Sequence, residues 1–295
     1  MTEVSVIIVN YNGGSVVANA VRAVMQTTDR SRCEVIVVDN CSSDGSAENL
    51  KSLFGDDLKL LMMPENKGFA AANNVGWHVA HSKYILFLNP DTEVLGDAVG
   101  VLSKYLDENP KVGACGANLF DKQMNPQFSY WTLFPGAKME WHALFSYFWL
   151  KKKHHGSHEH NFTGRTKKVA YIMGADLMVR RQLLEQLGGM SEDFFLFYEE
   201  TELCYRISKA GYDIVSVPEA KIIHLEGSTI DKLRLRQKYM MRSRDIYLRK
   251  CCASVERYMA NCILWFSSLI RTLFFTLTGN KQKKEFWKYT LACLS

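Results

Sequence analysis

The stretch "YILFLNPDTEV", residues 84–94, is an apolar run that ends abruptly at Asn89-Pro90-Asp91. A short continuous run of aromatic and branched residues that stops at a turn signal is typical of a strand buried on both faces. Pro90 has no amide hydrogen to offer a central ladder, so the strand is expected to end there. Asp91 then lies at the carboxyl end of a strand, where open α/β sheets bind their ligands. A turn aspartate that accepts bonds from nearby amides is the alternative interpretation.

Strand-like and helix-like patterns alternate through the first 120 residues. Buried strands are expected at 4–10, 33–40, 58–63 and 83–89, with a helical pattern after each of the first three. Crossover units of this kind predict an α/β fold with a mainly parallel sheet, so the strand ends share one edge. Asp39 and Asp91 are therefore expected along the same crevice. Glu199 and Glu200 follow "FFLFY", which we interpret as a further, aromatic strand.

The composition is that of an ordinary globular protein of 295 residues, with 47% hydrophobic and 23% charged residues and a net charge of +5. The length fits one large domain or a domain with an appendage. The eight cysteines form no Cys-x-x-Cys pair, which argues against a zinc or redox site. The first residues lack the basic start of a signal peptide. We therefore expect a cytoplasmic protein with no nucleic-acid partner.

Two common nucleotide-binding motifs are missing from the sequence. "IIVNYNGGSVV" offers Gly13-Gly14 after the first strand but no Gly-x-Gly-x-x-Gly, and no P-loop motif occurs. A site that brings carboxylates near phosphates needs a cation between the two anions. Mg²⁺ or Mn²⁺ with oxygen ligands would serve.

The C-terminal part is expected to be helical and contains the apolar segment 259–278, followed by "KQKK". Its length is marginal for a spanning helix, and Arg271 argues against a centred span. An interfacial helix flanked by basic residues is the favoured interpretation, with peripheral attachment to the inner face of the plasma membrane. Packing on the protein's own core is the alternative.

Six stretches occur in the order seen in one enzyme family: "VSVIIVNYN", "VIVVDNCSSDGS", "ENKGFAAANNVGW", "YILFLNPDTEV", "GADLMVRRQLLEQLGGMSEDFFLFYEETELCYR" and "IIHLEGST". In these stretches the chain resembles family 2 glycosyltransferases, especially the bacterial rhamnosyltransferase-like branch, over about residues 3–250. The resemblance implies a Rossmann-like GT-A fold with helices flanking the sheet. It also implies a nucleotide-diphosphate-sugar donor (dTDP-, UDP- or GDP-), Mg²⁺ or Mn²⁺, and inversion at the anomeric carbon.

The resemblance also implies a division of the chain. Residues 1–228 would form the catalytic domain and 229–295 a helical C-terminal extension. Within the catalytic domain, 1–120 would bind the nucleotide sugar and 121–228 the acceptor, with a flexible loop at about 150–168.

Individual roles follow from the same resemblance, position by position. Glu200 matches the general base, with Glu199 as the fallback. Asp91 and His224 match metal ligands. The segment Gly174, Ala175 and Asp176 faces the acceptor. Apart from the resemblance, the aromatic side chain of Trp131 is a candidate to stack on a sugar, with packing of the flap around it against the core as the alternative. The residues expected around the nucleotide sugar are Tyr11, Asn12, Asp39, Asn66, Lys67, Gly68, Asn73, Asn89 and Asp91.

Two departures from the family pattern keep a second function open. Asn89 replaces a carboxylate in the metal motif, and Glu200 stands where Asp is common, which shifts the carboxylate. The leading hypothesis is an inverting transferase that moves rhamnose or another hexose to a lipid-linked or growing polysaccharide. The alternative is a non-catalytic scaffold subunit of a polysaccharide-assembly complex that retains the nucleotide-sugar pocket. A homodimer is left open in either case.

Overall fold

The computed structural model describes residues 2–149, 159–225 and 233–294. The chain divides into two compact units, each treated by itself below. The first consists of Met1–Thr132 with Gly156–Asp231, and the second of Leu133–His155 with Lys232–Ser295.

The first unit is built around one large mixed sheet. Its strands, together with a two-stranded partner sheet, are β1 (Val4–Asn10), β2 (Cys33–Asp39), β3 (Lys59–Met62), β4 (Tyr84–Leu88), β5 (Thr92–Leu95), β6 (Val112–Phe120), β7 (Tyr130–Trp131), β8 (Lys167–Val169), β9 (Tyr171–Ile172), β10 (Asp176–Arg180) and β11 (Asp213–His224). The helices of the chain are α1 (Val16–Thr27), α2 (Ser46–Phe54), α3 (Phe69–Val79), α4 (Ala98–Glu108), α5 (Ala137–Trp149), α6 (Arg181–Leu187), α7 (Glu199–Lys209), α8 (Leu233–Cys251), α9 (Ser254–Leu277) and α10 (Lys281–Ala292).

The large sheet has the order β3-β2-β1-β4-β10-β6-β11-β5, and β8 also pairs with β11. The half formed by β3, β2, β1 and β4 is entirely parallel. In the other half, β10 runs antiparallel to both neighbours, whereas β11 is parallel to β6 and antiparallel to β5 and β8. Strands β7 and β9 form the small sheet.

The parallel half has the shared edge that the sequence predicts. Every residue of β1 and β4 is buried, as expected for predominantly apolar strands that are covered on both faces. The register pairs Asn10 with Asp39 and Ile8 with Leu88, so the three strands end at one level. The α/β class predicted from the sequence is confirmed, and the loops that follow β1, β2 and β4 open on the same edge.

The predicted aromatic strand "FFLFY", 194–198, is wrong. Phe197 and Tyr198 have φ of 70° and 72°, left-handed values that an extended strand does not contain. The segment is an irregular loop that leads directly into α7 at Glu199. Its aromatic character reflects packing instead, because Phe194 is completely buried.

The loop expected at about 150–168 is only partly described. Residues 150–158 lie outside the described residues. From Glu159 onward the chain is built into the first unit: His160 is buried, and β8 pairs with β11.

The second unit is a helical assembly of α5, α8, α9 and α10, and the expected helical C-terminal region is confirmed within 233–294. A partly buried ion pair joins α8 to α5, with Arg244 Nε 2.9 Å from Glu140 Oε1. Helix α9 has 24 residues and contains an 18-residue window with a mean hydropathy of 1.4, so it is long and apolar enough to cross a membrane by length and composition alone. A third of that window is buried in the protein.

Candidate functional site

Asn10 and Asp39 form a buried centre where β1 and β2 end. Both residues are inaccessible to solvent. Asn10 Nδ2 donates to Asp39 Oδ1 at 2.7 Å and to Ser46 Oγ at 2.8 Å. The other Asp39 oxygen accepts from the amide of Ser42 at 2.9 Å. These bonds fix the loop after β2 to the end of β1, and Asp39 supports the loop from beneath.

Exposed residues surround this centre. Tyr11 is 43% exposed, and Asn12 is held in a left-handed conformation with φ of 51°. The Asn12 amide donates to Ser42 Oγ at 3.0 Å, and its side-chain oxygen accepts from the amide of Ser43 at 2.8 Å. The structure therefore presents Tyr11 and Asn12 on an ordered platform above Asp39.

Asn40 links the second loop to a third. Its Nδ2 donates to Asn66 Oδ1 at 2.9 Å and to the Gly68 carbonyl at 3.2 Å, while its Oδ1 accepts from the Lys67 amide at 3.1 Å. The Lys67 side chain is exposed and lies 3.4 Å from Glu65. Four predicted nucleotide-sugar residues, Asp39, Asn66, Lys67 and Gly68, thus belong to one connected set of loops.

Gly68 brings this set against the aromatic loop. Its φ is 91°, and a Cβ there would lie 2.4 Å from the carbonyl oxygen of Phe195. The amide of Phe69 donates to the same carbonyl at 2.8 Å. Only glycine allows this approach. Asn73, one turn into α3, is fully buried; its Oδ1 has no hydrogen-bond partner within the described ranges.

Asn89, Asp91 and His224 lie together at the end of β4. His224 Nε2 is 3.4 Å from Asp91 Oδ1 and 3.4 Å from Asn89 Nδ2. The turn itself is fixed by backbone bonds, since the Leu225 amide donates to the Asp91 carbonyl at 2.9 Å. The predicted metal ligands Asp91 and His224, 133 positions apart in sequence, are therefore neighbours.

This arrangement is compatible with one divalent cation. Two ligands at right angles on an octahedral ion are about 3 Å apart, close to the separation of the Asp91 and His224 atoms. Among the residues that the structure describes, no group of three or more His, Cys, Asp and Glu side chains could hold a metal. Asp91 and His224 would supply at most two ligands to such an ion, and the others would have to come from phosphate oxygens and water.

The Gly174–Ala175 segment connects this corner to the two glutamates. The Asn89 amide donates to the Ala175 carbonyl at 3.0 Å. On the other side, a Cβ at Gly174 would lie 3.3 Å from Glu200 Cδ. One short backbone segment therefore lies between Asn89 and Glu200.

Glu199 and Glu200 occupy the first turn of α7 and are both buried. Burial raises the pKa of both carboxyl groups, and for Glu199 the negative charge of Glu200 raises it further. Thr201 Oγ1 donates to Glu200 Oε1 at 3.2 Å, whereas Glu199 Oε2 has no hydrogen-bond partner in the described part of the chain. The pKa of Glu199 is therefore raised more strongly than that of Glu200.

Two of the predicted acceptor residues have different surroundings. Asp176 is fully buried, and its carboxylate accepts from the amide of Ala117; burial raises its pKa well above the usual range. Trp131 lies in the small sheet, where it pairs with Tyr171, and its ring meets Phe128 edge-on at 5.4 Å. Asp176 therefore faces the sheet interior, and Trp131 belongs to the neighbouring sheet.

Three residues of this site were missed by sequence reasoning. Asn10, Asn40 and Asp44 hold the loops together, and Asp44 accepts from the Gly14 amide at 2.8 Å. One signal was available, because Asn10 and Asn40 stand at the ends of two buried apolar runs. Polar residues there must either bond internally or face a ligand.

The chain belongs to glycosyl transferase family 2, whose sequence model matches residues 5–188. Among curated relatives, the dTDP-rhamnosyl transferase RfbF of Shigella flexneri is 24% identical over 99% of this chain and 95% of its own length. The N-acetylglucosaminyl-diphospho-decaprenol L-rhamnosyltransferase of Mycobacterium tuberculosis is 25% identical over 76% of each chain. The resemblance to this family stated above is confirmed.

Solved structures share the fold. GalNAc-T7 with UDP, GalNAc and Mn²⁺ superimposes with a TM-score of 0.61 at 17% identity, over 84% of this chain and 48% of that one. S. aureus TarS 1–349 in complex with UDP gives 0.59 at 16% identity, over 99% of this chain and 80% of that one. The predicted GT-A fold is thereby confirmed.

Proposed function

We propose that this protein is an inverting glycosyltransferase with a nucleotide-diphosphate sugar as donor. The transferred sugar is rhamnose or another hexose, and the acceptor is a hydroxyl of a lipid-linked or growing polysaccharide. The names of the two rhamnosyltransferase relatives support the sugar, and the decaprenol-linked substrate of one supports a lipid-linked acceptor. dTDP, UDP and GDP remain the candidate donor nucleotides. We place the reaction at the cytoplasmic face of the membrane.

The observation that most supports this proposal is the buried carboxylate of Glu200, which lies next to Gly174. A hydroxyl is a poor nucleophile and needs a carboxylate within hydrogen-bond reach to take its proton. The raised pKa of Glu200 makes it a stronger base than an exposed glutamate. Gly174 lies directly against this side chain, since a Cβ there would be 3.3 Å from Glu200 Cδ.

The reaction forms one bond as another breaks. The acceptor oxygen attacks the anomeric carbon, Glu200 takes the hydroxyl proton, and the bond to the donor phosphate breaks with its electrons on the nucleoside diphosphate. Tyr11 and Asn12, on the platform above Asp39, would bind the nucleoside. Asp91 and His224 would hold Mg²⁺ or Mn²⁺, which when bound supplies positive charge beside the diphosphate.

The test is transfer by the purified chain in a panel of dTDP-, UDP- and GDP-sugars with lipid-linked and oligosaccharide acceptors and Mn²⁺. We expect turnover of one donor, loss of turnover with a chelator, and an inverted anomeric configuration in the product. Absence of turnover across the panel would contradict the proposal.

A non-catalytic scaffold subunit is the second candidate. Asn89, which offers an amide where a carboxylate is common, favours it, as does the raised pKa of Glu200, which reduces the ionised fraction. Binding of a nucleoside diphosphate with no transfer, unchanged in Glu200→Gln, would favour this function.

A further inference from the structure

The second unit is unusually basic. It contains 18 of the chain's 36 Lys and Arg but 4 of its 31 Asp and Glu, so the rest of the chain has an acidic excess. Lys281 and Lys283, both exposed, lie in the first turn of α10, just beyond the end of α9 at Leu277. A unit with this charge attracts anionic surfaces and repels a second copy of itself.

Helix α9 turns its polar side inward. Its buried residues are Ala260, Leu264, Ser267, Ser268, Arg271 and Phe275. Arg271 donates to the Ala143 carbonyl of α5 at 3.0 Å, and its guanidinium lies 4.3 Å from the ring centre of Trp287 on α10. The one charge in the middle of the apolar sequence is therefore enclosed by protein.

The opposite side of α9 is apolar and exposed. We define its outer face by Val255, Tyr258, Met259, Phe266, Leu273 and Leu277. At 100° per residue these six positions fall within an arc of about 100°, opposite the buried stripe. Leu273 is 57% and Leu277 is 88% exposed. A helix between protein and water normally turns its apolar face to the protein and its polar face to the water. In α9 the apolar face is the exposed one, so it fits an apolar medium.

We propose that the outer face of α9 lies in the interface of an anionic membrane, with the helix parallel to the surface and the basic residues of this unit at the lipid headgroups. A spanning orientation would expose the whole circumference of α9 to lipid, whereas α5 and α10 cover its polar side. The positive charge of the unit favours an anionic lipid surface as the partner, because a second copy of the same chain would be repelled. This inference is independent of the proposed sugar transfer.

The experiment is flotation of the full chain with vesicles of phosphatidylcholine alone or with added phosphatidylglycerol. We expect strong flotation with the anionic vesicles and weaker flotation with the neutral ones. Leu273→Glu should reduce partition to anionic vesicles about tenfold, because one large apolar side chain no longer enters the interface. Leu53→Glu, at a 50% exposed leucine in the other unit, is the matched control and should float like wild type.

Three results would overturn the proposal. The first is equal flotation of Leu273→Glu and Leu53→Glu, with melting temperatures showing that both fold. The second is a dimer in light scattering that Leu273→Glu dissociates while flotation is unchanged, which would assign the face to a contact between copies. The third is protein that stays with vesicles after alkaline washing, which would indicate a span.

Discussion

The loops that follow β1 and β2 and the glutamates at the start of α7 are two buried polar regions with opposite bonding. Around Asn10 and Asp39, each Asp39 oxygen accepts a hydrogen bond from within the protein. In α7, Glu199 has an oxygen without a partner in the described part of the chain, and the pKa of both glutamates is raised. The polar groups of the first region hydrogen-bond to each other and fix the loops. The second region has a carboxylate oxygen that is not used in this way.

From this contrast we infer that the Asn10–Asp39 region positions the loops and that the glutamates of α7 take part in the chemistry. Buried polar groups with full hydrogen bonding rigidify the structure around them, and a carboxylate kept poorly solvated is costly to the fold but reactive. We therefore expect changes in the first region to reduce stability, and changes in the second to reduce rate while stability holds or rises.

The largest effect is expected from Glu200→Gln. This change removes the proposed proton acceptor and should lower kcat by about 10²- to 10⁴-fold. The Tm should stay the same or rise, because a buried acid is replaced by a neutral amide. Steady-state transfer assays and thermal melts measure the two quantities.

Glu202→Gln is the matched control on the same helix. Both Glu202 oxygens accept from Arg206 Nε at 2.9 Å, so this carboxylate has a structural partner. The control should lose stability, since removal of one partner leaves a buried charge unpaired. A Glu200→Gln enzyme with unchanged kcat would assign proton acceptance elsewhere, first to Glu199.

A smaller effect, on stability, is expected from Asn10→Ala. The change leaves Asp39 Oδ1 without its 2.7 Å donor and should lower the free energy of unfolding by about 1–3 kcal/mol. Asn19→Ala, on the exposed face of α1, should change it by less than about 0.5 kcal/mol. Urea unfolding measures both, and equal values for the two variants would break the contrast.

The smallest effect is a pH dependence that Glu199→Gln should remove. Because the pKa of Glu199 is raised on folding, the folded state binds more protons than the unfolded chain between the ordinary pKa and the raised one. The contribution of Glu199 to stability therefore falls as pH rises through that window.

Glu199→Gln should match wild type near pH 4, where the acid is neutral in both states, and exceed it by about 1 kcal/mol at pH 8. Unfolding free energies at the two pH values test this. A variant equal to wild type at pH 8 would show that Glu199 is not held as a neutral acid.

The parallel half of the sheet was predictable because its signal is local. Strands β1, β2 and β4 are predominantly apolar, and the burial of their apolar residues follows directly from that composition. The position of Asp91 beside His224 was expected from the family resemblance alone, not from any local pattern.

Other features of the fold and the site depend on long-range contacts that could not be predicted from the local sequence. The 194–198 segment has the composition of a strand, yet its left-handed residues make it a loop packed against Gly68. Asn10 bonds Ser46, 36 positions away, and the polar inner stripe of α9 is evident only once α5 and α10 are in place. Such choices are set by tertiary packing, which overrides local propensity.

The most direct test of the account is a thermal-shift panel with dTDP, UDP, GDP and CDP, each with and without Mn²⁺, on wild type, Asp91→Ala and Glu200→Gln. A ligand at a hundredfold excess over its Kd adds about 2.7 kcal/mol of stability to the state it binds. The account predicts a Mn²⁺-dependent shift for one nucleotide, lost in Asp91→Ala and retained in Glu200→Gln. A shift that survives in Asp91→Ala, or that disappears in Glu200→Gln, would contradict the separation of donor binding from proton acceptance.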